Sequence, residues 1–149
     1  LLPLEIIIPL ISRTKIISYA LNLAYYKDIS SDKDLKRIVS KPARKKTAAG
    51  ALRSMCIGMS LRPAELTAPH LLKELSEKIK KPSILIIWGK EDKLIPLFIG
   101  KNLQKQYPWI KLLILKNSGH CPHDESPKDF NTSILNWLEV NLNANNQKA

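Results

Sequence analysis

Two ionisable residues each follow a short apolar run, an arrangement that can place an acid beside a base. Asp92 comes four residues after the run Ser83–Trp88, and His120 comes five residues after the run Lys111–Leu115. If both runs are parallel strands, their carboxyl ends meet at one edge of a sheet, where open parallel sheets form their sites. A carboxylate there accepts the Nδ1–H bond of the imidazole and stabilises the imidazolium that forms when histidine takes a nucleophile's proton. The pair therefore predicts acid–base chemistry that activates a nucleophile.

Each of these residues has a plainer interpretation when it is taken alone. A lone Asp92 is a turn acid before a helix, since such acids are common, and a lone His120 is a surface-loop histidine. However, Gly89 stands three residues before the acid, Pro96 follows it, and Gly119 precedes the histidine. These positions together favour the catalytic interpretation of both residues.

The residues after His120 are expected to support its loop rather than to react. His123 and Asp124 are predicted to brace the loop, and Cys121 to be a small packing residue. A metal site from His120, Cys121, His123 and His70 is an alternative, but the His-x-x-His spacing is loose and no matching cysteine pair exists. The sequence therefore predicts neither a metal nor a cofactor.

Residues 82–142 have the pattern of a strand–helix–strand unit followed by a closing helix. The isoleucine-rich run Ser83–Trp88 predicts a strand that is buried on both faces, as in a parallel sheet. The elements predicted after it are a helix from Pro96 to about Gln106, a strand at Lys111–Leu115 and a helix from about Lys128 to Leu142. The apolar faces of the two helices are assigned to Phe98, Ile99 and Leu103, and to Phe130, Ile134, Trp137 and Leu138. Because two parallel strands cannot make a stable sheet alone, further strands are expected upstream.

Three segments of residues 82–142 resemble the motifs of a known family. The segment Ile86–Pro96 looks like an apolar strand followed by G-x-x-D and a proline, and Ser118–His120 looks like a histidine loop. Both resemble the corresponding segments of the α/β-hydrolases. The stretch His120–Pro127 is similar to a narrower group, the cyanobacterial and plastid hydrolases related to pheophytinase, which cleave the phytyl ester of chlorophyll derivatives.

The resemblance implies a fold and a role for each residue. The expected fold class is α/β: the C-terminal part of an α/β-hydrolase, with its last two parallel strands and flanking helices, preceded by a helical lid. Asp92 corresponds to the acid of the catalytic triad, since it rather than Glu91 stands three residues after Gly89, and His120 corresponds to the base.

The sequence departs from the family's pattern at the nucleophile. No G-x-S-x-G occurs in the 149 residues, and the nearest match, Gly58–Arg62, lacks the second glycine and a preceding strand. Ser60 is therefore interpreted as a helix end or cap. The oxyanion loop is not found either. The nucleophile and the N-terminal half of the fold are expected to come from upstream sequence.

Residues 1–81 correspond, by the same resemblance, to the helical lid. Pro3 and Pro9 interrupt their apolar start. Helices are predicted at Ile16–Tyr26, from Asp32 to about Val39 with Ser30 or Ser31 as cap, from Pro42 to about Met59, and from about Pro69 to Ile79. No strand is expected before residue 83, and the polar residues 143–149 are predicted to form a disordered tail.

Composition and charge limit the class of protein. Hydrophobic and charged contents of 44% and 25% are those of a soluble globular domain. The net charge of +11 is concentrated in residues 1–81, which hold 16 Lys/Arg against 7 Asp/Glu. The run Lys41–Lys46 is interpreted as a solvated helix face, and no nucleic acid is expected because no binding motif accompanies it. Peripheral contact of the basic, apolar lid with a membrane is left open. Two cysteines, with no secretory signal or spanning segment, favour a cytoplasmic location.

The function predicted from these features is that of a serine-type carboxylic ester hydrolase acting on a small hydrophobic ester. An aspartate nucleophile would instead imply a dehalogenase-like reaction. Two other hypotheses are kept: an inactive truncated remnant, and a basic binding module that acts through residues 33–53.

Overall fold

The computed structural model describes residues 14–29 and 31–146. Its helices are α1 (Thr14–Ala24), α2 (Lys33–Ala43), α3 (Ala48–Ser60), α4 (Ala68–Glu77), α5 (Leu97–Gln106), α6 (Pro122–Glu125) and α7 (Pro127–Asn146), and its strands are β1 (Ile84–Gly89) and β2 (Ile110–Leu115). A short 3₁₀ helix lies at Ala64–Leu66. The chain divides into two compact units. The first unit is Leu1–Leu21 with Ile29–Lys78, and the second unit is Asn22–Asp28 with Ile79–Ala149.

The start of α2 differs by one residue from the prediction. Asp32, rather than Ser31, is the cap: its carboxylate accepts the Leu35 N–H at 2.8 Å. An aspartate cap satisfies a free amide and also favours the positive end of the helix dipole. The other candidate cap, Ser30, and the predicted interruptions at Pro3 and Pro9 lie outside the described residues.

The prediction that Pro42 opens a new helix is wrong. Pro42 lies in the last turn of α2, and α3 begins only at Ala48. A proline removes one helical hydrogen bond and crowds the carbonyl four residues earlier. The cost is smallest where the helix is about to end, and α2 does end at Ala43.

The second unit contains the predicted strand–helix–strand crossover. β1 and β2 pair in parallel, with Ile84 opposite Ile110 and Gly89 opposite Leu115. Within the described residues, as expected, no strand precedes residue 83. The expected burial of β1 on both faces is not found, because Ile84–Trp88 are only half-buried. In the part of the chain that is described, each strand pairs with one neighbour, so its outer edge has no strand to cover it.

The buried face of α5 is rotated from the predicted one. Leu103 is half-buried, in agreement with the prediction, but Phe98 and Ile99 are 61% and 43% exposed, and Gly100 is buried instead. A Cβ on Gly100 would come within 2.8 Å of the Trp88 ring. The absence of a side chain at Gly100 therefore lets α5 approach β1 closely, and this contact fixes which face of the helix packs.

The C-terminal part is more helical than predicted. The short helix α6 was not anticipated, and α7 continues through Asn146, into the segment that was expected to be disordered. Residues 147–149 lie outside the described residues. Phe130, Ile134 and Trp137 are half-buried on α7, but Leu138 is 42% exposed, contrary to the prediction. None of the described helices is long and apolar enough to span a membrane.

Candidate active site

The structure brings Asp92 and His120 together beyond the carboxyl ends of β1 and β2. His120 Nδ1 lies 2.9 Å from Asp92 Oδ2. The side chain of Asp92 is 5% exposed, whereas that of His120 is 39% exposed. The other oxygen of Asp92, Oδ1, accepts the N–H groups of Leu94 and Ile95, each at 2.9 Å. The carboxylate is thus fully hydrogen-bonded and held in one orientation.

Backbone pairing holds the two loops in register. The Lys90 N–H donates to Leu115 O at 2.8 Å, directly after the paired strands end. Glu91 and Ser118 then form a reciprocal pair: the Glu91 N–H donates to Ser118 O at 3.0 Å, and the Ser118 N–H donates to Glu91 Oε2 at 3.2 Å. Because Glu91 precedes Asp92 and Ser118 lies two residues before His120, this pair fixes the separation between the acid and the base.

Two glycines make this close approach sterically feasible. A Cβ on Gly89 would overlap the carbonyl oxygens of Ser118 and Gly119. A Cβ on Gly119 would overlap the carbonyl oxygen of Ala24 and come within 3.0 Å of the Tyr26 amide nitrogen. Both positions therefore require glycine because backbone, which cannot move aside as a side chain can, occupies the space.

The segment Ala24–Tyr26, which we call the tyrosine segment, contacts the histidine loop within the second unit. The His120 N–H donates to Ala24 O at 2.6 Å. The Tyr25 hydroxyl donates to Asp124 Oδ2 at 2.7 Å, and the Tyr26 N–H donates to Glu125 Oε2 at 2.5 Å. The other oxygen of Glu125, Oε1, accepts the Gly119 N–H at 2.6 Å. The loop that carries His120 is therefore held on one side by Glu91 and on the other by this segment.

Tyr25 and Cys121 both stay protonated near neutral pH. Burial raises the pKa of Tyr25, and so do its hydrogen bond to Asp124 and the charge of that carboxylate. Burial likewise raises the pKa of the Cys121 thiol. The Tyr25 hydroxyl lowers this pKa in part, and the charges of Glu125, Asp124 and Asp92 raise it further. The thiolate is the reactive form of cysteine, so this environment agrees with Cys121 as a packing residue.

A cleft of about 250 Å³ opens beside the acid–base pair. Its lining is mostly apolar, with Asp92 and His120 as its ionisable groups: Ile86, Ile87, Trp88, Gly89, Asp92, Ile95, His120 and Pro122. The Trp88 indole N–H donates to Ile95 O at 3.0 Å, which closes the acid loop over the end of β1.

The other candidate residues lie apart from this pair or support it. Asp124 contacts the tyrosine segment, whereas His123 is exposed and its ring lies 6.0 Å from that of Phe130. Ser60 is the last residue of α3, and its hydroxyl donates to Cys56 O at 2.9 Å. His70 is in α4, with Nε2 3.8 Å from the Glu74 carboxylate. Among the described residues, no cluster of three His, Cys, Asp or Glu side chains has an arrangement that could hold a metal ion.

Sequence reasoning missed Glu91, Glu125 and the tyrosine segment. One signal was present: acidic residues flank both predicted catalytic positions, with Glu91 before Asp92 and Asp124-Glu125 after His120. An acidic side chain beside a glycine-containing loop is a ready acceptor for backbone N–H groups. The contact with residues 24–26 spans about a hundred positions along the chain, and no local pattern indicates it.

Comparison with solved structures identifies the fold. A thermophilic esterase superimposes on 94% of this chain with a TM-score of 0.53 and 20% identity, and the match covers 51% of the esterase. The two parallel strands, the helices around them and the loops at their carboxyl ends are therefore part of an α/β-hydrolase fold.

Comparison of sequences confirms the resemblance to α/β-hydrolases. An uncharacterised hydrolase of Bacillus subtilis, YugF, is 35% identical over 66 residues, which are 44% of this chain and 24% of that protein. The chloroplastic pheophytinase of Arabidopsis thaliana is 28% identical over 111 residues, 74% of this chain and 22% of that protein. A 2-hydroxy-6-oxononadienedioate/2-hydroxy-6-oxononatrienedioate hydrolase of Burkholderia vietnamiensis is 34% identical over 70 residues, 47% of this chain and 24% of that protein. The chain thus spans about a quarter of the length of these relatives. A search against family models gave no match.

Proposed function

We propose that this chain carries the acid and the base of an α/β-type hydrolase that cleaves a carboxylic ester, and that sequence outside these 149 residues supplies the nucleophile. The observation that carries the proposal is the 2.9 Å hydrogen bond between Asp92 and His120 at the carboxyl ends of two paired parallel strands. The similarity to hydrolases in sequence and to an esterase in fold supports the same class of reaction.

In this proposal, the two nitrogens of His120 have different roles. Nδ1 is engaged by Asp92, so Nε2 is the nitrogen that exchanges protons. In the proposed reaction, Nε2 accepts the proton of the nucleophile's hydroxyl as its oxygen attacks the ester carbonyl. The imidazolium then gives this proton to the departing alcohol oxygen as the C–O bond breaks, and an acyl-enzyme forms. Water next loses a proton to Nε2 and attacks the acyl carbon, and the nucleophile leaves with that proton.

The proposed substrate is a hydrophobic ester. The apolar lining of the cleft beside His120 supports this choice, since small-molecule sites are mostly apolar with a few polar groups that orient the ligand. The resemblance of His120–Pro127 to pheophytinase-related hydrolases favours a phytyl or similar long-chain ester. In this proposal residues 1–81 act as a lid over that substrate.

The test is the hydrolysis of 4-nitrophenyl esters of increasing chain length by a polypeptide that joins this chain to the sequence upstream of it in its gene. We expect turnover that His120→Ala lowers by ~10³-fold or more, because the base and its proton transfers are lost. His123→Ala is the matched control, since His123 is an exposed histidine three residues away, and it should leave turnover unchanged. Equal turnover by the His120→Ala variant would remove the proposed role of His120.

The same assay separates the alternatives. Labelling of a single upstream serine by a fluorophosphonate would support the acyl-enzyme route, whereas turnover of haloalkanes without such labelling would indicate an aspartate nucleophile. Cleavage of 2-hydroxy-6-oxononadienedioate but of no ester would overturn the proposed substrate class. If the joined polypeptide turns over none of these compounds and no serine is labelled, the result would favour the hypothesis of an inactive remnant.

The peripheral membrane contact of the lid region also stays a proposal. Residues 35–64 hold eight Lys/Arg and no Asp/Glu, and Leu52, Met55 and Met59 of α3 are exposed. Cations beside exposed apolar side chains are typical of helices that bind anionic lipid surfaces. Salt-sensitive sedimentation of the chain with phosphatidylserine vesicles would support this contact, and its absence at low salt would exclude it.

A further inference from the structure

The backbone around His120 is held by a closed set of hydrogen bonds that the catalytic mechanism does not use. Glu125 accepts two of them, one through each carboxylate oxygen: Gly119 N–H at 2.6 Å and Tyr26 N–H at 2.5 Å. The third, from His120 N–H to Ala24 O at 2.6 Å, returns from the histidine to the same tyrosine segment. The Glu125 carboxylate thereby links Gly119, the residue before His120, to the tyrosine segment, which also accepts the His120 N–H.

We propose that Glu125 is a positioning residue that sets the orientation of the His120 imidazole toward Asp92 through this set of hydrogen bonds. The inference rests on the proposed role of His120 as the base. It deepens that role, because a histidine whose side chain is partly exposed needs a fixed backbone before its ring can keep one hydrogen-bonded orientation.

The geometry explains why a carboxylate is needed at this position. The two backbone N–H groups, of Gly119 and Tyr26, need two acceptor atoms and no donor between them. The two oxygens of one rigid carboxylate meet this requirement. Bonds of this kind to an ionised group are about twice as strong as neutral ones. Glu125 is half-buried on α6, and its own N–H donates to Cys121 O at 2.9 Å, which fixes α6 relative to the histidine loop.

Steric constraints act together with these hydrogen bonds. Gly119 has no room for a side chain because Ala24 O lies against it, so the tyrosine segment and the loop are in direct backbone contact. The Tyr25 hydroxyl adds a bond to Asp124, the neighbour of Glu125, and anchors the same segment a second time. If Glu125 loses one of its two bonds, the tyrosine segment can therefore still contact the histidine loop through Tyr25 and Asp124. The backbone position of His120, however, is no longer fixed by both the Gly119 bond and the Tyr26 bond.

The test compares Glu125→Gln with Glu139→Gln in the 149-residue chain. The amide of glutamine keeps one acceptor oxygen but turns an NH₂ donor toward the other N–H, so at least one bond is lost. Glu139 is an exposed glutamate on α7 and serves as the matched control. The readout is the ¹H NMR signal of the His120 Nδ1 proton, together with amide exchange at Gly119 and His120.

We expect Glu125→Gln to broaden or abolish the Nδ1 proton signal and to raise amide exchange at both residues by ~10-fold or more. Glu139→Gln should leave the signal and the exchange rates unchanged. A Glu125→Gln variant that is folded and retains both the Nδ1 signal and the slow exchange would overturn the proposal.

Two further measurements keep the test decisive. If Glu125→Gln does not fold, the wild type decides in the polypeptide that joins this chain to its upstream sequence. Fast exchange of the Gly119 and His120 amides there would overturn the proposal, and slow exchange would support it. In a polypeptide with turnover, Glu125→Gln should lower kcat by ~10–100-fold with little change in KM, as expected when only the orientation of a catalytic group is lost. Because the NMR readout needs no turnover, failure of the positioning role is distinguishable from failure of the proposed reaction.

Discussion

The two units of the chain differ in how far their side-chain hydrogen bonds reach. In the first unit, bonds such as Ser60 to Cys56 and Thr67 to Ala64 connect residues three or four apart. In the second unit, bonds join His120 to Asp92 and Tyr25 to Asp124, across 28 and 99 residues. The first kind stabilises a helix that any similar sequence would form, whereas the second kind builds one particular site. In the part of the chain that the structure describes, the region proposed for catalysis is thus held by hydrogen bonds between residues far apart in sequence.

The glycines of the two units show the same contrast. In the second unit, Gly89 and Gly119 lie against backbone atoms that a Cβ would overlap. In α3 of the first unit, a Cβ on Gly50 or Gly58 would meet nothing within 4 Å. A substitution by alanine therefore probes tight packing in one unit and intrinsic helix propensity in the other.

The largest effect on stability is expected from Gly119→Ala. Its Cβ would overlap Ala24 O and press on Tyr26 N, so the tyrosine segment must move away from the histidine loop. We expect a loss of ~3 kcal/mol in the free energy of unfolding, at the upper end of the cost of overpacking. Urea unfolding of the 149-residue chain measures it. An unchanged midpoint would mean that this segment does not contact the loop in solution.

These non-local contacts also mark the limit of what the sequence could predict. The apolar runs predicted β1 and β2 to within one residue, since a short continuous apolar run is a local signature of a strand. The placement of Asp92 and His120 at adjacent strand ends followed from the same runs, because parallel pairing brings carboxyl ends together. Among the predictions that failed is part of the packing face of α5, which depends on the approach of Gly100 to Trp88. The contact of Tyr25 with Asp124 was also missed, because it joins parts of the chain with no shared pattern.

An intermediate effect is expected from Tyr25→Phe, which removes the hydroxyl that donates to Asp124. At about pH 7 the variant should lose ~1 kcal/mol of unfolding free energy, the net value of one hydrogen bond to a solvent-accessible partner. The ring is retained, so its packing should change little. Urea unfolding again provides the measurement, and a loss comparable with that of Gly119→Ala would indicate that the bond does more than anchor the segment.

The difference between the wild type and this variant should depend on pH. The pKa of Tyr25 is raised in the folded chain, so the folded state keeps its proton more tightly than the unfolded state, whose tyrosine has a pKa of 10.0. The stabilisation is therefore fully present below about pH 10 and is lost as the pH rises above that value. The stability advantage of the wild type over Tyr25→Phe should shrink in that range, and a constant difference would contradict the hydrogen bond.

The smallest effect, with the opposite sign, is expected from Gly50→Ala in α3. The site is exposed and has free space for a methyl group, so the substitution only removes the conformational freedom of glycine in the unfolded chain. We expect a gain of ~0.5–1 kcal/mol in unfolding free energy, the difference between glycine and alanine in a helix interior. Circular dichroism during urea unfolding measures the gain, with Gly119→Ala as the variant of opposite sign. If Gly50→Ala instead destabilises the chain, α3 packs against another surface in solution, and Gly50 is then constrained by neighbouring atoms as Gly119 is.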